Sequence, residues 1–223
     1  MKSENRVPVW LRETEAEGRW TAGAAVLVVI AIHVLLHDTL DIEPYWVMPV
    51  LESVLLVGLI VANPVTFTRE SRLIRVASLG LIGVISTANA WITIREVGKL
   101  VTGKEHDAVR LLATGVGVWV INVLMFSLWY WELDRAGPVA RSKARERYPD
   151  FLFPQMTEHD VTPPHWRPTF ADYLYLGFTN STAFSPTDVM PLSRWAKILM
   201  MLQSSISLVI VALVVARAIN VLK

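Results

Sequence analysis

"FTNSTAFSPTDVMPLSRWAKIL", residues 178–199, separates a short aromatic segment from the last long apolar run of the chain. Its polar middle, Thr182 to Asp188, holds hydroxyls, a proline and a carboxylate directly ahead of a stretch apolar enough to cross a bilayer. Immediately upstream, "PTFADYLYLGFTN" opens on Pro168 and Thr169 and sets Asp172 three residues after the threonine, which is the arrangement of a capping box at a helix start. A helix over 169–180 rises 1.5 Å per residue and is about 18 Å long, too short for a hydrocarbon core of about 30 Å. A short helix, a polar loop and then a full span predict a re-entrant segment. Its non-helical backbone is tolerated at that depth only where protein buries it or water lines it.

Outward from this stretch, composition bounds the class. Of 223 residues 53% are apolar, nine are Trp, and the net charge is +1. Charges cluster between long apolar runs, which is the profile of a polytopic membrane protein and not of a soluble domain. The charge balance gives no footprint for nucleic acid, and no glycine-rich phosphate loop suggests a nucleotide. The absence of cysteine excludes disulfides, thiolate metal sites and a Cys nucleophile.

Five segments are long and apolar enough to be read as spans: Trp20 to His37, Tyr45 to Ala62, Leu73 to Ile94, Val109 to Trp131 and Ala196 to Val221. The connections "DTLDIEP", "NPVTFTRES" and "GKEHD" are short, so successive helices are antiparallel neighbours in one bundle. The expected fold is all-α, a polytopic bundle of five transmembrane helices plus one short re-entrant pore-like helix. Residues 1–19 read as an amphipathic lead and 20–105 as a three-helix membrane region. Residues 106–223 read as a last module: a helix, a cap loop over 132–168, the short helix 169–180, a polar loop 181–191 and the final span.

In helix order this last module resembles the pore module of the tetrameric potassium-channel family, whose filter reads Thr-Thr-Val-Gly-Tyr-Gly-Asp-x-x-Pro. "TAFSPTDVMP", Thr182 to Pro191, matches it in length without a gap. Thr182 falls on the first threonine, Asp188 on the filter aspartate and Pro191 on the proline before the inner helix. In the last span, Ser204, Ser205 and Ser207 stand where that family often has a hinge glycine. The resemblance covers roughly residues 109 to 221. It implies a homotetramer in the cell's plasma membrane, monovalent cations as partners besides the lipid bilayer, and a pore lined by Thr182, Ala183, Phe184, Ser185, Pro186, Thr187 and Asp188.

The departures bear on selectivity. The family's two glycines let successive carbonyls point at the ion and replace its hydration shell. Ser185 and Thr187 occupy their places, and a β-branched threonine at positive φ is an outlier. Pro186 fixes its own φ and pushes Ser185 toward extended geometry. The expectation is therefore a wider mouth of hydroxyls and Asp188 carboxylates, passing hydrated cations with weak preference for potassium. The same residues also read as a packed turn in a non-conducting membrane scaffold. A small transporter is a third reading, although no inverted repeat is visible.

Other residues compete for a role. Glu52 lies within the second span, where a carboxylate is a functional hypothesis by default; set shallowly, it would reach the interface instead. His33 and His37, one turn apart near Asp38, suggest a zinc or proton site, but no third ligand is fixed by spacing, so a headgroup position is the preferred reading and no metal is expected. Arg69, Arg72 and Arg75 recur every third residue, yet they precede their apolar run and read as anchors. Trp129, Tyr130 and Trp131 read as an aromatic belt at the interface. No nucleophile–base pair or catalytic carboxylate pair appears, so neither an enzyme nor a cofactor is expected. Lys and Arg are absent from the loop after the first span and abundant before it and in "RSKARER", which puts the N-terminus in the cytoplasm; the potassium-channel resemblance predicts the opposite orientation.

Overall fold

Helices form where the apolar runs lie. The computed structural model describes residues 7–15, 17–40, 44–61, 72–102, 108–158, 160–163, 165–182 and 188–221. In chain order they build α1 (Trp20–Leu35), α2 (His37–Leu40), α3 (Val47–Val61), α4 (Arg72–Thr102), α5 (Ala108–Leu133), α6 (Pro138–Ser142), α7 (Phe170–Thr182) and α8 (Arg194–Val221). Two-residue strands β1 (Phe151–Leu152) and β2 (Met190–Pro191) pair antiparallel, Phe151 opposite Pro191.

Three helices are long and apolar enough to cross a membrane: Arg75–Gly98 within α4, Leu112–Ala136 along α5 and its end, and Arg194–Ala216 within α8. That fits a membrane protein. The first two expected spans are shorter: α1 has 16 residues and α3 has 15, about 24 and 22 Å at 1.5 Å per residue against a core of about 30 Å.

α1 lays Ala22, Val26, Val29 and His33 against α3 from one helical face, all of them buried. Small residues also set the spacing around α5, the central helix. A side chain at Gly115 would meet Val214 of α8, and one at Gly117 would meet Leu36 just after α1, so these backbones approach closely only because nothing stands between them.

At its C-terminal end α5 tightens into a 3₁₀ turn over Asp134–Ala136, and the chain reverses through Arg135 (φ 48°), Ala136 (φ 62°) and Gly137 (φ 95°). Left-handed backbone costs a non-glycine residue about 1–2 kcal/mol. Hydrogen bonds offset that at Arg135, whose N–H donates to Asp150 (2.9 Å) and whose guanidinium donates to the Trp10 carbonyl (3.2 Å). Pro138 then opens α6, where its missing N–H costs nothing. The cap beyond α6 folds back over the end of α5, so Tyr130 and Trp131 are fully buried. They are core residues and not the interfacial belt that the sequence suggests. Phe151 packs edge-on against Tyr130 and Trp195, with ring centroids at 5.3 and 5.6 Å.

Candidate functional site

α7 starts at the end of α5 and runs back along it. The capping chemistry read from the sequence is present: Asp172 accepts from the Thr169 N–H (2.7 Å) and hydroxyl (2.9 Å). Farther along, Gly177 lies so close to α5 that a Cβ there would sit 2.3 Å from the Ser127 hydroxyl. The helix is 13 residues long, about 20 Å.

Its C-terminal end is fastened to α8 by amides. Gln203, fully buried, accepts from the Tyr130 hydroxyl (2.6 Å) and the Asn180 amide (2.7 Å), and donates to the Gly177 carbonyl and the Ser181 hydroxyl (both 2.9 Å). Asn180 also donates to the Met200 carbonyl (3.0 Å), and Ser204 donates to the Asn180 carbonyl (3.0 Å). Gln203 and Ser204 lie at the middle of the apolar stretch Arg194–Ala216. The chain next described, Asp188 to Leu192, is back at the starting end, where β2 pairs with β1 and the Leu192 N–H donates to the Asp150 carbonyl (2.7 Å). It therefore goes in on α7 to the depth of mid-α8 and comes out on the same side.

Of the predicted pore-lining residues, Thr182 is the last of α7, exposed, its hydroxyl donating to the Phe178 carbonyl (3.0 Å). Asp188 is exposed. Ala183, Phe184, Ser185, Pro186 and Thr187 lie outside the described residues. α8 runs unbroken through the predicted hinge serines. Ser204 binds α7, Ser205 is exposed and bonds its own helix at Met201, and buried Ser207 accepts from Asn122 of α5 (2.8 Å).

Where the starts of α1, α7 and α8 meet the end of α5, a buried ionic knot forms. Arg19 pairs with Glu132 (3.3 Å), Arg141 with Glu17 (3.3 Å), and Arg135 with Asp134 (3.5 Å). Glu17 further accepts from the Trp131 indole (2.9 Å) and from the Phe170 N–H at the first turn of α7 (2.6 Å), where the helix dipole favours an anion. Tyr173 donates to Asp134, and Asp150 accepts from the Trp195 indole (2.9 Å). Burial opposes the Arg141 charge, yet Tyr173, Asp134, Glu17 and Glu132 around it outweigh that and hold its pKa above the ordinary value. Burial pushes the Tyr173 hydroxyl well above its usual range. The cavity against the knot is about 20 Å³, room for about one water, and a larger one of about 600 Å³ lies beside it, lined by Val9, Arg12, Thr14, His165 and Arg167 among others. The lead over residues 7–19 thus reaches into the core: Glu17 and Arg19 are buried in the knot.

The second buried pair joins α1 to α3. His33 Nδ1 lies 2.7 Å from a Glu52 carboxylate oxygen with both side chains inaccessible to solvent. Both side chains are buried within the protein, in the contact between α1 and α3. His37 stays at the surface, 3.0 Å from Asp38. Among the described residues no group of three metal-ligating side chains forms. Arg72 begins α4, Arg75 approaches Gly137 at the knot, and Arg69 lies outside the described residues.

No family model matches the chain, and no curated protein or solved structure does either. No local pattern marks the knot in the sequence, because its members are far apart, Glu17 standing 153 residues before Phe170. A signal for the other pair was present: His33 and Glu52, like His37, are ionisable residues within about two turns of the same short connection, on helices that must be antiparallel.

Proposed function

We propose that the chain is a multi-pass, channel-like protein of the plasma membrane, with α5, α7 and α8 as outer, pore and inner helices and the shorter α1 and α3 completing the bundle. The observation that carries this reading is the path of α7: a short helix that stops at the depth of Gln203 and Ser204 and a chain that returns to the side it came from. A globular packing needs no such excursion. In a pore-loop protein it delivers a polar loop to mid-membrane, and α7 aims the negative end of its dipole there. A homotetramer would close the pore around the segment from Thr182 to Asp188. Without glycine in that segment the pore would pass monovalent cations with weak preference for potassium. The knot end is rich in Lys and Arg, which favours a cytoplasmic position for it and for the start of α7.

The test is ion flux through purified protein reconstituted in liposomes, first for the parent chain and then for Asp188→Asn. The expected parent conducts potassium and sodium comparably. The variant loses conductance most at low salt, where fixed charge at a mouth is least screened. No flux through correctly assembled parent protein would remove the channel reading and leave a membrane scaffold. A strong potassium preference would overturn the steric argument about Ser185 and Thr187.

A further inference from the structure

On the far side of α5 from α7, a cavity of about 630 Å³ opens between α4, α5 and α8. Met125, Phe126, Leu202 and Ile206 are among its apolar walls, and among the described residues none that lines it is charged. The polar groups come mainly from α4, and most already have partners. The Thr87 hydroxyl donates to the Gly83 carbonyl, that of Thr93 to the Asn89 carbonyl, and Ser86 accepts from the Trp129 indole. Asn122 spends its amide on Ser207. The side-chain amide of Asn89 is different: it is buried, with 8% of the residue exposed, lines the cavity, and has no acceptor. A buried donor without an acceptor is costly, and costlier in an apolar surround.

Asn89 sits in the middle third of the span Arg75–Gly98, at a depth where the ester oxygens of lipid headgroups do not reach. The volume is that of a pocket for a drug-sized ligand, and the uncharged walls offer nothing to a charged one. We propose that this cavity binds an uncharged lipophile with an apolar body and a single carbonyl-type oxygen, which accepts from the Asn89 amide. The apolar walls supply affinity, and the amide selects the oxygenated molecule from the surrounding hydrocarbon.

The test uses full-length protein in phosphatidylcholine nanodiscs, photolabelled with a long-chain alkyl ketone carrying a diazirine and with the matching alkane, the sites being mapped by mass spectrometry. Ketone labelling is expected at Phe126, Leu202 and Ile206, saturable and competed by unlabelled ketone. Asn89→Leu should raise its half-saturating concentration about three- to ten-fold, the worth of one hydrogen bond, and leave the alkane unchanged. Ala90→Trp fills the cavity from an exposed position and should abolish labelling by both probes, which keeps the proposal testable if the leucine variant fails to fold. Labelling that does not saturate, that is no greater than at outward-facing Ile198 and Met201, or that ignores both substitutions overturns the proposal. Cross-links between copies through the same wall residues, in place of ketone labelling, also overturn it and make the occupant a second chain.

Discussion

Gln203→Leu removes the hub that fastens α7 to α8 and leaves side-chain volume nearly unchanged. The wild-type amide takes part in hydrogen bonds with Tyr130, Asn180, Gly177 and Ser181. Side-chain bonds between membrane helices average about 0.6 kcal/mol each, so four of them amount to about 2.4 kcal/mol. The leucine also leaves the buried Tyr130 O–H without its acceptor, which adds about 1–3 kcal/mol; the Tyr130 oxygen still accepts from the Asn180 amide (3.4 Å), which also keeps the Met200 carbonyl. Recovered hydrophobic transfer of the leucine offsets part of this, and the expected net loss is about 2–4 kcal/mol. The assay is equilibrium unfolding in mixed micelles for the parent, Gln203→Leu, Tyr130→Phe and the double variant. Because phenylalanine no longer needs the acceptor, the double variant should lose at least about 1 kcal/mol less than the sum of the singles. A leucine variant within about 0.5 kcal/mol of the parent and additive with Tyr130→Phe would refute the view that this hub holds α7 at depth.

The close approach of α7 to α5 makes Gly177→Ala costly, by about 1–3 kcal/mol of overpacking against the Ser127 hydroxyl; in melting experiments the added Ser127→Ala should restore part of the loss. At the second buried pair, Glu52→Ala strands His33 and should cost about 3–5 kcal/mol in denaturant unfolding, whereas replacing both residues by leucine should stay within about 1 kcal/mol of the parent. The raised Tyr173 pKa contributes stability that is whole below pH about 10 and falls as pH rises toward the folded-state value. Tyr173→Phe should flatten the melting temperature above pH about 10, and an unchanged slope would show that the hydroxyl does not titrate with unfolding.

Local chemistry was readable wherever the deciding atoms lie close in sequence. Thr169 and Asp172 announce the start of α7, whereas its end lies two residues beyond the expected one: Ser181 and Thr182, expected in the polar loop, belong to the helix. The long apolar runs locate α4, α5 and α8 for the same reason, since hydrophobic length is a property of one segment. Partners across the bundle were not readable. Tyr130 and Trp131 have the composition of an interfacial belt, and what makes them core is a cap whose Phe151 and Phe153 fold back over them and Tyr173. Glu17 and Arg19 look like solvated charges because their counter-ions, Arg141 and Glu132, belong to another part of the chain. α1 and α3 read as full spans because apolar residues continue beyond the helix ends: Leu36 follows the last residue of α1, and Tyr45 and Trp46 precede α3.

The knot also sets a timetable for biosynthesis. Glu17 and Arg19 leave the ribosome well before their partners: Glu132 follows Arg19 by 113 residues, Arg141 follows Glu17 by 124, and the Phe170 amide that completes the Glu17 carboxylate follows it by 153. At a synthesis rate of about 5–20 residues per second that is a wait of about 8–30 s. Through most of it, until Glu132 and Arg141 are made, the carboxylate and the guanidinium lack their counter-ions and must be solvated by water or headgroups. Closure of the knot is therefore a late event, completed only when the Phe170 N–H meets the Glu17 carboxylate.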